Sequence, residues 1–265
     1  MGIQSHPGFS PDADRLSNFT EHSEIRGLLV QPSFIDPAHE SELITLFRTK
    51  LTWPDRPGRI SLHYGYTFDY KTFGIDPEIP YIPFPEWLVP LIPTTESRPP
   101  DQVCLQYYPP GAGIPPHVDS HRGWDQLYAL SLGAPVAMRM RRGKGQPDDR
   151  KIDIELQPRS MMIYAGDSRL HWTHGITKKK NDTLSDGTLR LREDRWSITY
   201  RWAREGPCEC GDVVLCDTAQ ERLGVEKEKR SVAALKESSK GESENEEKLA
   251  GSGVTVGDNA LEANS

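Results

Sequence analysis

Hydrophobic and polar positions follow two different periods along the chain. Residues 103–108, 127–132, 136–140, 152–156, 161–165 and 196–202 are short β-favouring runs, separated by Gly, Pro or charged turns. Ahead of them, residues 28–30 read as a strand and Asp36-Pro37 as a helix start. Leu43, Ile44, Leu46 and Phe47 then recur at helical spacing. Residues 60–70 are aromatic and β-favouring and read as a strand or hairpin. The Pro-dense stretch 77–100 must be irregular, apart from a short helix near 87–91. Many short strands behind an initial helical part predict an α+β, mainly β fold, a β-sandwich or jelly roll flanked by N-terminal helices.

The pattern fails at both ends. Hydrophobic residues are 35 % of the 265; without Tyr and with Gly counted that becomes about 40 %, below the usual ~45–50 %. The shortfall lies largely in residues 222–265, which hold 7 Lys/Arg and 9 Asp/Glu, no aromatic residue and no Pro. Such a stretch cannot bury enough surface to offset its ordering entropy. The expected organisation is a disordered segment 1–23, one domain 24–220, and a disordered charged tail 221–265 with a transient helix around 226–236. Residues 181–187, turn-formers and polar residues apart from Leu184, are expected to form a mobile loop.

A net charge of −7 excludes a uniformly basic nucleic-acid binder but leaves room for local patches. Arg139, Arg141, Arg142, Lys144, Arg150 and Lys151 form one basic stretch and Lys178-Lys179-Lys180 another. No run approaches ~18 apolar residues, so no membrane span is expected. No signal peptide is visible at the amino terminus, and a location in the cytoplasm, with the nucleus as a second site, follows as the expectation. Three of the four cysteines, Cys208, Cys210 and Cys216, fall within nine residues. In a reducing compartment that grouping points to a metal site, or to chance, rather than to a disulfide. Cys104, inside a strand, is expected in the core.

Candidate chemistry begins at His117-Val118-Asp119. Residues i and i+2 of a strand point the same way, so His117 and Asp119 can share a metal. The segment His171-Trp172-Thr173-His174 supplies a further imidazole, His174 standing 57 residues after His117. Two imidazoles and one carboxylate form the facial set that suits non-haem Fe(II) and leaves open positions. In Arg195-Trp196-Ser197-Ile198-Thr199-Tyr200-Arg201, strand alternation puts Arg195, Ser197, Thr199 and Arg201 on one side. The two Arg lie ~20 Å apart by Cα, and their planar forks suit a small dicarboxylate.

The order His-x-Asp, His, Arg-x₅-Arg resembles the AlkB family of 2-oxoglutarate/Fe(II) dioxygenases. The resemblance implies a double-stranded β-helix, iron on His117, Asp119 and His174, and O₂ as co-reactant. It places 2-oxoglutarate on Arg195, Arg201, Tyr108 and Gln106, the last standing where the family has Asn. Tyr107-Tyr108-Pro109-Pro110-Gly111-Ala112-Gly113-Ile114-Pro115-Pro116-His117, His63-Tyr64-Gly65-Tyr66 and Trp172-Thr173-His174-Gly175-Ile176 are similar to the tRNA wobble-uridine hydroxylase branch, AlkB homologue eight. That branch implies a structural zinc on His121, Cys208, Cys210 and Cys216. It also implies a lid over the substrate containing His63, Tyr64, Tyr66 and Tyr70. Animal members add RNA-recognition and methyltransferase domains, for which 265 residues leave no room, so a separate methyltransferase becomes an expected partner. Two other functions fit the same sequence: an oxidative demethylase of alkylated RNA or DNA, or of a protein, and a non-catalytic, zinc-stabilised RNA-binding protein. An intact triad and Arg pair argue against the last.

Overall fold

A computed structural model describes residues 16–69, 74–75, 78–184 and 186–224. In chain order the elements are β1 (Thr20–Glu21), β2 (Leu28–Gln31), α1 (Pro37–Thr49), β3 (Ile60–Gly65), β4 (Phe68–Asp69) and β5 (Gly74–Ile75). A 3₁₀ turn (Val89–Leu91) leads to β6 (Gln102–Tyr108), β7 (Ile114–His117), β8 (Gln126–Gly133), β9 (Val136–Arg142), β10 (Arg150–Leu156) and β11 (Met161–Ala165). Then follow α2 (Gly166–Leu170), β12 (Thr173–Ile176), β13 (Asn181–Thr183), β14 (Leu189–Leu191), β15 (Arg195–Arg201) and α3 (Asp217–Arg222). The chain divides after Gln220, and residues 221–224 of the second unit are described.

Helix α1 starts as the sequence predicts: the Asp36 carboxylate accepts the His39 N–H at 2.8 Å, and Pro37 occupies the first turn, where its missing N–H costs nothing. Its Leu43 and Phe47 are buried. So is Glu40, which accepts the Gly133 N–H at 2.9 Å and pairs with Arg159 at 2.7 Å.

Two antiparallel sheets form the body of the first unit. The larger runs β1-β2-β11-β8-β15-β6-β3, the smaller β10-β9-β12-β7. Their packing is a mainly β jelly-roll arrangement, with α1 on the outer face of the larger sheet. Two apolar clusters result. One joins α1 to Leu105, Tyr128, Leu130, Ile163, Trp196, Ile198 and Tyr200; the other fills the space between the sheets with Leu127, Met138, Met140, Met162, Tyr164, Trp172 and Ile176. Strand β15 is therefore covered on both faces. Trp196, Ile198 and Tyr200 point to the helix side, while Arg195, Ser197, Thr199 and Arg201 point between the sheets. Polar side chains on an interior face cost free energy unless they are bonded, so this face marks where a polar ligand belongs.

Several expectations need correction. Order begins before residue 24, because Thr20 and Glu21 pair with Val30 and Leu29. Of the expected mobile loop 181–187, residues 181–183 are instead strand β13, which pairs with β14. Asp182 there is buried against Arg192 at 2.7 Å, so one ion pair supplies what the polar composition hid. The basic stretch is largely neutralised: Arg139 holds Asp153 with two bonds of 2.7 Å, Arg141 holds Asp149, and Arg142 holds Asp167 at 2.9 Å. The helix α1 and the 3₁₀ turn near 87–91 that precede β6 do match the expected N-terminal helical part. Residues 1–15, Tyr70, the tail from 225 and its transient helix lie outside the described residues. No helix of the described residues is long and apolar enough to cross a membrane.

Candidate active site and cysteine cluster

Strands β7 and β12, unmarked by the hydrophobic pattern, carry two of the triad residues. Pro115 and Pro116 cannot donate to a ladder, and β7 is an edge strand that pairs only with β12. Gly175 lets the two strands close: a Cβ there would stand 2.8 Å from the Pro116 nitrogen. The register sets His117 directly opposite His174, with ring centroids 4.4 Å apart. Asp119 lies beyond the end of β7, so the turn after the strand, not the pleat, brings it in.

The ligand atoms of His117, Asp119 and His174 all lie within 4.8 Å of one another. The Pro115 carbonyl, which can only accept, sits 2.9 Å from His117 Nδ1. Nδ1 therefore carries a hydrogen, which leaves Nε2 as the nitrogen that would ligate a metal. Arg201 donates through Nε (3.1 Å) and Nη2 (2.8 Å) to Asp119 Oδ1, while Oδ2 lies 3.6 Å from His174 Nε2. Burial would raise the Asp119 carboxyl, but the attraction of Arg201, His174 and His117 outweighs it and holds the group well below its usual range. Burial, then repulsion from His117, lowers His174 to about 3. The set at neutral pH is one carboxylate with a neutral His174, the protonation that metal ligation demands.

Beside the triad, the register of β6 and β15 sets Arg195 opposite Tyr108, Ser197 opposite Gln106 and Thr199 opposite Cys104. The guanidinium of buried Arg195 lies 5.1 Å over the Tyr108 ring and donates through Nη2 to Ser131 Oγ at 3.0 Å. Its Nε is buried without a partner, so one edge of the fork is available to an acceptor. That orphaned donor, with the hydroxyls of Ser197 and Thr199 lining the same pocket, fits a carboxylate of 2-oxoglutarate. Gln106 keeps its acceptor busy: Tyr108 Oη donates to Oε1 at 2.8 Å and Arg59 at 2.9 Å. Spacing gave no hint of Arg59 or Ser131. Arg195→Lys replaces a planar fork with a point charge; losing one charge-assisted bond should raise the KM for 2-oxoglutarate about 10- to 100-fold. An unchanged KM in a decarboxylation assay would remove Arg195 from the pocket's anion site.

The lid residues separate by face. Tyr64, half-buried against the core, packs on Trp87 at 5.9 Å, whereas Tyr66 is exposed and meets exposed Tyr81 edge-on at 4.9 Å. His63 faces Ser61 (3.2 Å) and Cys104 (3.9 Å); burial, then Arg201, Arg59 and Arg56, lowers it to about 4. Cys104 is buried as expected, but on this polar face rather than in either apolar cluster.

A second group lies close by. His121, Cys208, Cys210 and Cys216 also place their ligand atoms within 4.8 Å of one another, with His121 Nδ1 at 3.7 Å from the Cys208 sulfur and 3.4 Å from that of Cys210. His121 is fully buried and no disulfide joins the thiols. Burial pushes the Cys210 thiol up to about 12 and raises Cys208 as well. A bound cation is what would turn Cys208 and Cys210 into thiolates at neutral pH.

A sequence profile of the 2OG-Fe(II) oxygenase superfamily matches residues 32–201. The Xenopus tropicalis protein named tRNA (carboxymethyluridine(34)-5-O)-methyltransferase alkbh8 is 32 % identical over 224 residues, covering 73 % of this chain and 34 % of that protein. The Arabidopsis thaliana protein named Alkylated DNA repair protein ALKBH8 homolog is 30 % identical over 222 residues, covering 74 % of this chain and 64 % of that protein. In both cases more than a third of the relative lies outside the match. The solved structure of OsALKBH1 superposes with a TM-score of 0.48 at 17 % identity, over 69 % of this chain and 99 % of that one. The profile spans every element from α1 to β15, and the chain belongs to the 2OG-Fe(II) oxygenase superfamily: it is a 2-oxoglutarate-dependent dioxygenase.

Proposed function

We propose that this dioxygenase hydroxylates an alkyl group on tRNA, the 5-methoxycarbonylmethyl side chain of the wobble uridine. The observation that carries the substrate is the similarity over residues of this domain to a relative named for carboxymethyluridine at position 34. His117, Asp119 and His174 would hold Fe(II), which with 2-oxoglutarate and O₂ supplies C–H hydroxylation, succinate and CO₂ being the co-products. Arg201 fixes Asp119 so that one oxygen faces the metal. Arg195 anchors a carboxylate of 2-oxoglutarate, and Tyr108 and Gln106 wall the same pocket. The exposed pair Tyr66 and Tyr81 offers ring faces on which an unstacked base can rest. Lys144, Lys151, Lys178 and Lys180 are exposed cations that make no ion pair among the described residues, and they suit phosphates. Hydroxylation on an N-methyl carbon would release formaldehyde, whereas on the side chain of the ester the hydroxyl stays.

The same reading assigns a closed Cys₃His zinc site to His121, Cys208, Cys210 and Cys216. Four protein ligands leave no open position, so this metal would be structural. It also places the protein with tRNA in the cytoplasm or nucleus, acting after a separate methyltransferase activity has made the ester.

Nucleoside mass spectrometry tests the substrate. Ester-bearing tRNA and mixed methylated RNA are incubated with the protein, Fe(II), 2-oxoglutarate and ascorbate in air. The ester nucleoside should gain one oxygen, and a control without iron should not. Loss of methyl groups from methylated bases would replace this reading with demethylation. Succinate formation with neither change would leave the chemistry and refute the substrate.

A further inference from the structure

The cysteine-bearing segment touches both stretches of chain that carry the triad. Asp217, first residue of α3, directly follows Cys216 and is buried. Its Oδ2 accepts from the hydroxyl of Ser120 at 2.5 Å, and its Oδ1 accepts the N–H of His121 at 3.0 Å and of Thr218 at 3.1 Å. Ser120 is the residue after Asp119. Asp212, between Cys210 and Cys216, accepts on Oδ1 the N–H groups of Val214 and Leu215, each at 2.9 Å. Its Oδ2 accepts from His171 Nδ1 at 2.9 Å, three residues before His174. Buried Arg169 ties the same two stretches together: on α2, shortly before His171, it donates to the carbonyls of Asp119 (2.9 Å) and Ser120 (2.5 Å).

None of these bonds uses a side-chain atom of the triad, yet together they fix where the backbone presents Asp119 and His174. Asp119 needs such fixing because it lies beyond the end of β7, outside the ladder that aligns His117 with His174.

We propose that Asp217 and Asp212 are positioning residues for the iron centre, making residues 208–217 a clip that sets the spacing between Asp119 and His174. The proposal rests on His117, Asp119 and His174 being the iron ligands. Ligands must be held within ~0.5 Å of their working geometry, and loss of an outer hydrogen-bonding partner weakens metal affinity by about 10- to 100-fold. Asp217 makes the larger contribution, since its bonds reach the residue next to a ligand, while Asp212 acts three residues away.

The test is an anaerobic Fe(II) titration of the full chain with excess 2-oxoglutarate, followed by the visible absorption of the Fe(II)–2-oxo acid pair. Zinc content and thermal midpoint are measured on the same samples. Asp217→Ala should weaken Fe(II) binding by about 10- to 100-fold and shift the absorption band, with Asp217→Asn, which retains an acceptor for the His121 N–H, recovering part of the loss. Ser120→Ala removes the same bond from the opposite side, leaves the cysteine segment untouched, and should weaken Fe(II) severalfold; it decides the matter if Asp217→Ala does not fold. Dissociation constants within about twofold of the parent in the folded variants, where the proposal expects at least severalfold, would overturn it. A parent chain that gives no Fe(II) signal would overturn the triad assignment, and the clip with it. No nucleic acid enters the assay, so these outcomes are separate from the substrate question.

Discussion

Asp119→Ala should abolish 2-oxoglutarate turnover and destabilise the metal-free fold at the same time. The first effect follows from removing one of three ligands, a larger loss than the 10- to 100-fold typical of an outer partner. The second comes from Arg201. Its guanidinium gives two bonds to Asp119 Oδ1, and both side chains are largely buried. Taking away one partner of a buried pair leaves an uncompensated charge, at a cost of about 3–5 kcal/mol. Buried Arg169, close enough to lower the Asp119 pKa, would add to the unbalanced positive field. Asp119→Asn separates the two effects: its amide oxygen can still accept from Arg201, so stability should largely return while turnover does not. Decarboxylation assays and denaturant unfolding of the metal-free proteins read both quantities. Retained turnover in Asp119→Ala would sink the triad, and unchanged unfolding would show that Arg201 finds its compensation elsewhere.

Withdrawing metal from the Cys–His cluster should have the largest effect on stability. The chain after β15 has little core of its own: Cys208 and Cys216 are buried, but Val213, Val214 and Leu223 are exposed. Beside the hydrogen bonds of Asp212 and Asp217, a zinc on His121 and the three thiols would hold it, and a structural zinc contributes on the order of 10 kcal/mol of binding free energy in zinc-finger peptides. The chain as purified should carry one zinc, and a strong chelator should lower the thermal midpoint by on the order of 10 °C. Cys216→Ser should behave like the chelated parent. A chain free of zinc whose midpoint ignores chelators would remove the zinc and leave four ordinary buried side chains.

Much of the site was legible because it obeys a local period. Arg195, Ser197, Thr199 and Arg201 share a face for the reason that any strand alternates, and Gln106 and Tyr108 follow the same rule on β6. The triad was legible through residue types and the resemblance, not through hydrophobicity. Strands β7 and β12 carry too few apolar residues, and β7 too many prolines, to announce themselves. Convergence of the cysteines with His121 was expected from the resemblance, and the fold brings those four side chains together.

Other features depended on partners far away in the chain. The basic run on β9 reads as a local cationic stretch until register places Asp153 opposite Arg139 and folds Asp149 back onto Arg141. The polar stretch after Lys180 looked like a loop until Asp182 met Arg192. Arg201, expected to hold the co-substrate, lines the pocket with Arg195 and also bonds Asp119, 82 positions away. The sequence alone determined the types of the apolar-patterned elements (α1, β2, β3, β6, β8–β11 and β15), the polar inner face of β15 and the residue types of both ligand sets, since each depends only on near neighbours and on side-chain chemistry. Which charge meets which, how Asp119 is aimed, and how the cysteine segment grips both triad-bearing stretches were decided by sheet register and closure, which bring together residues whose separation along the chain carries no periodic signal.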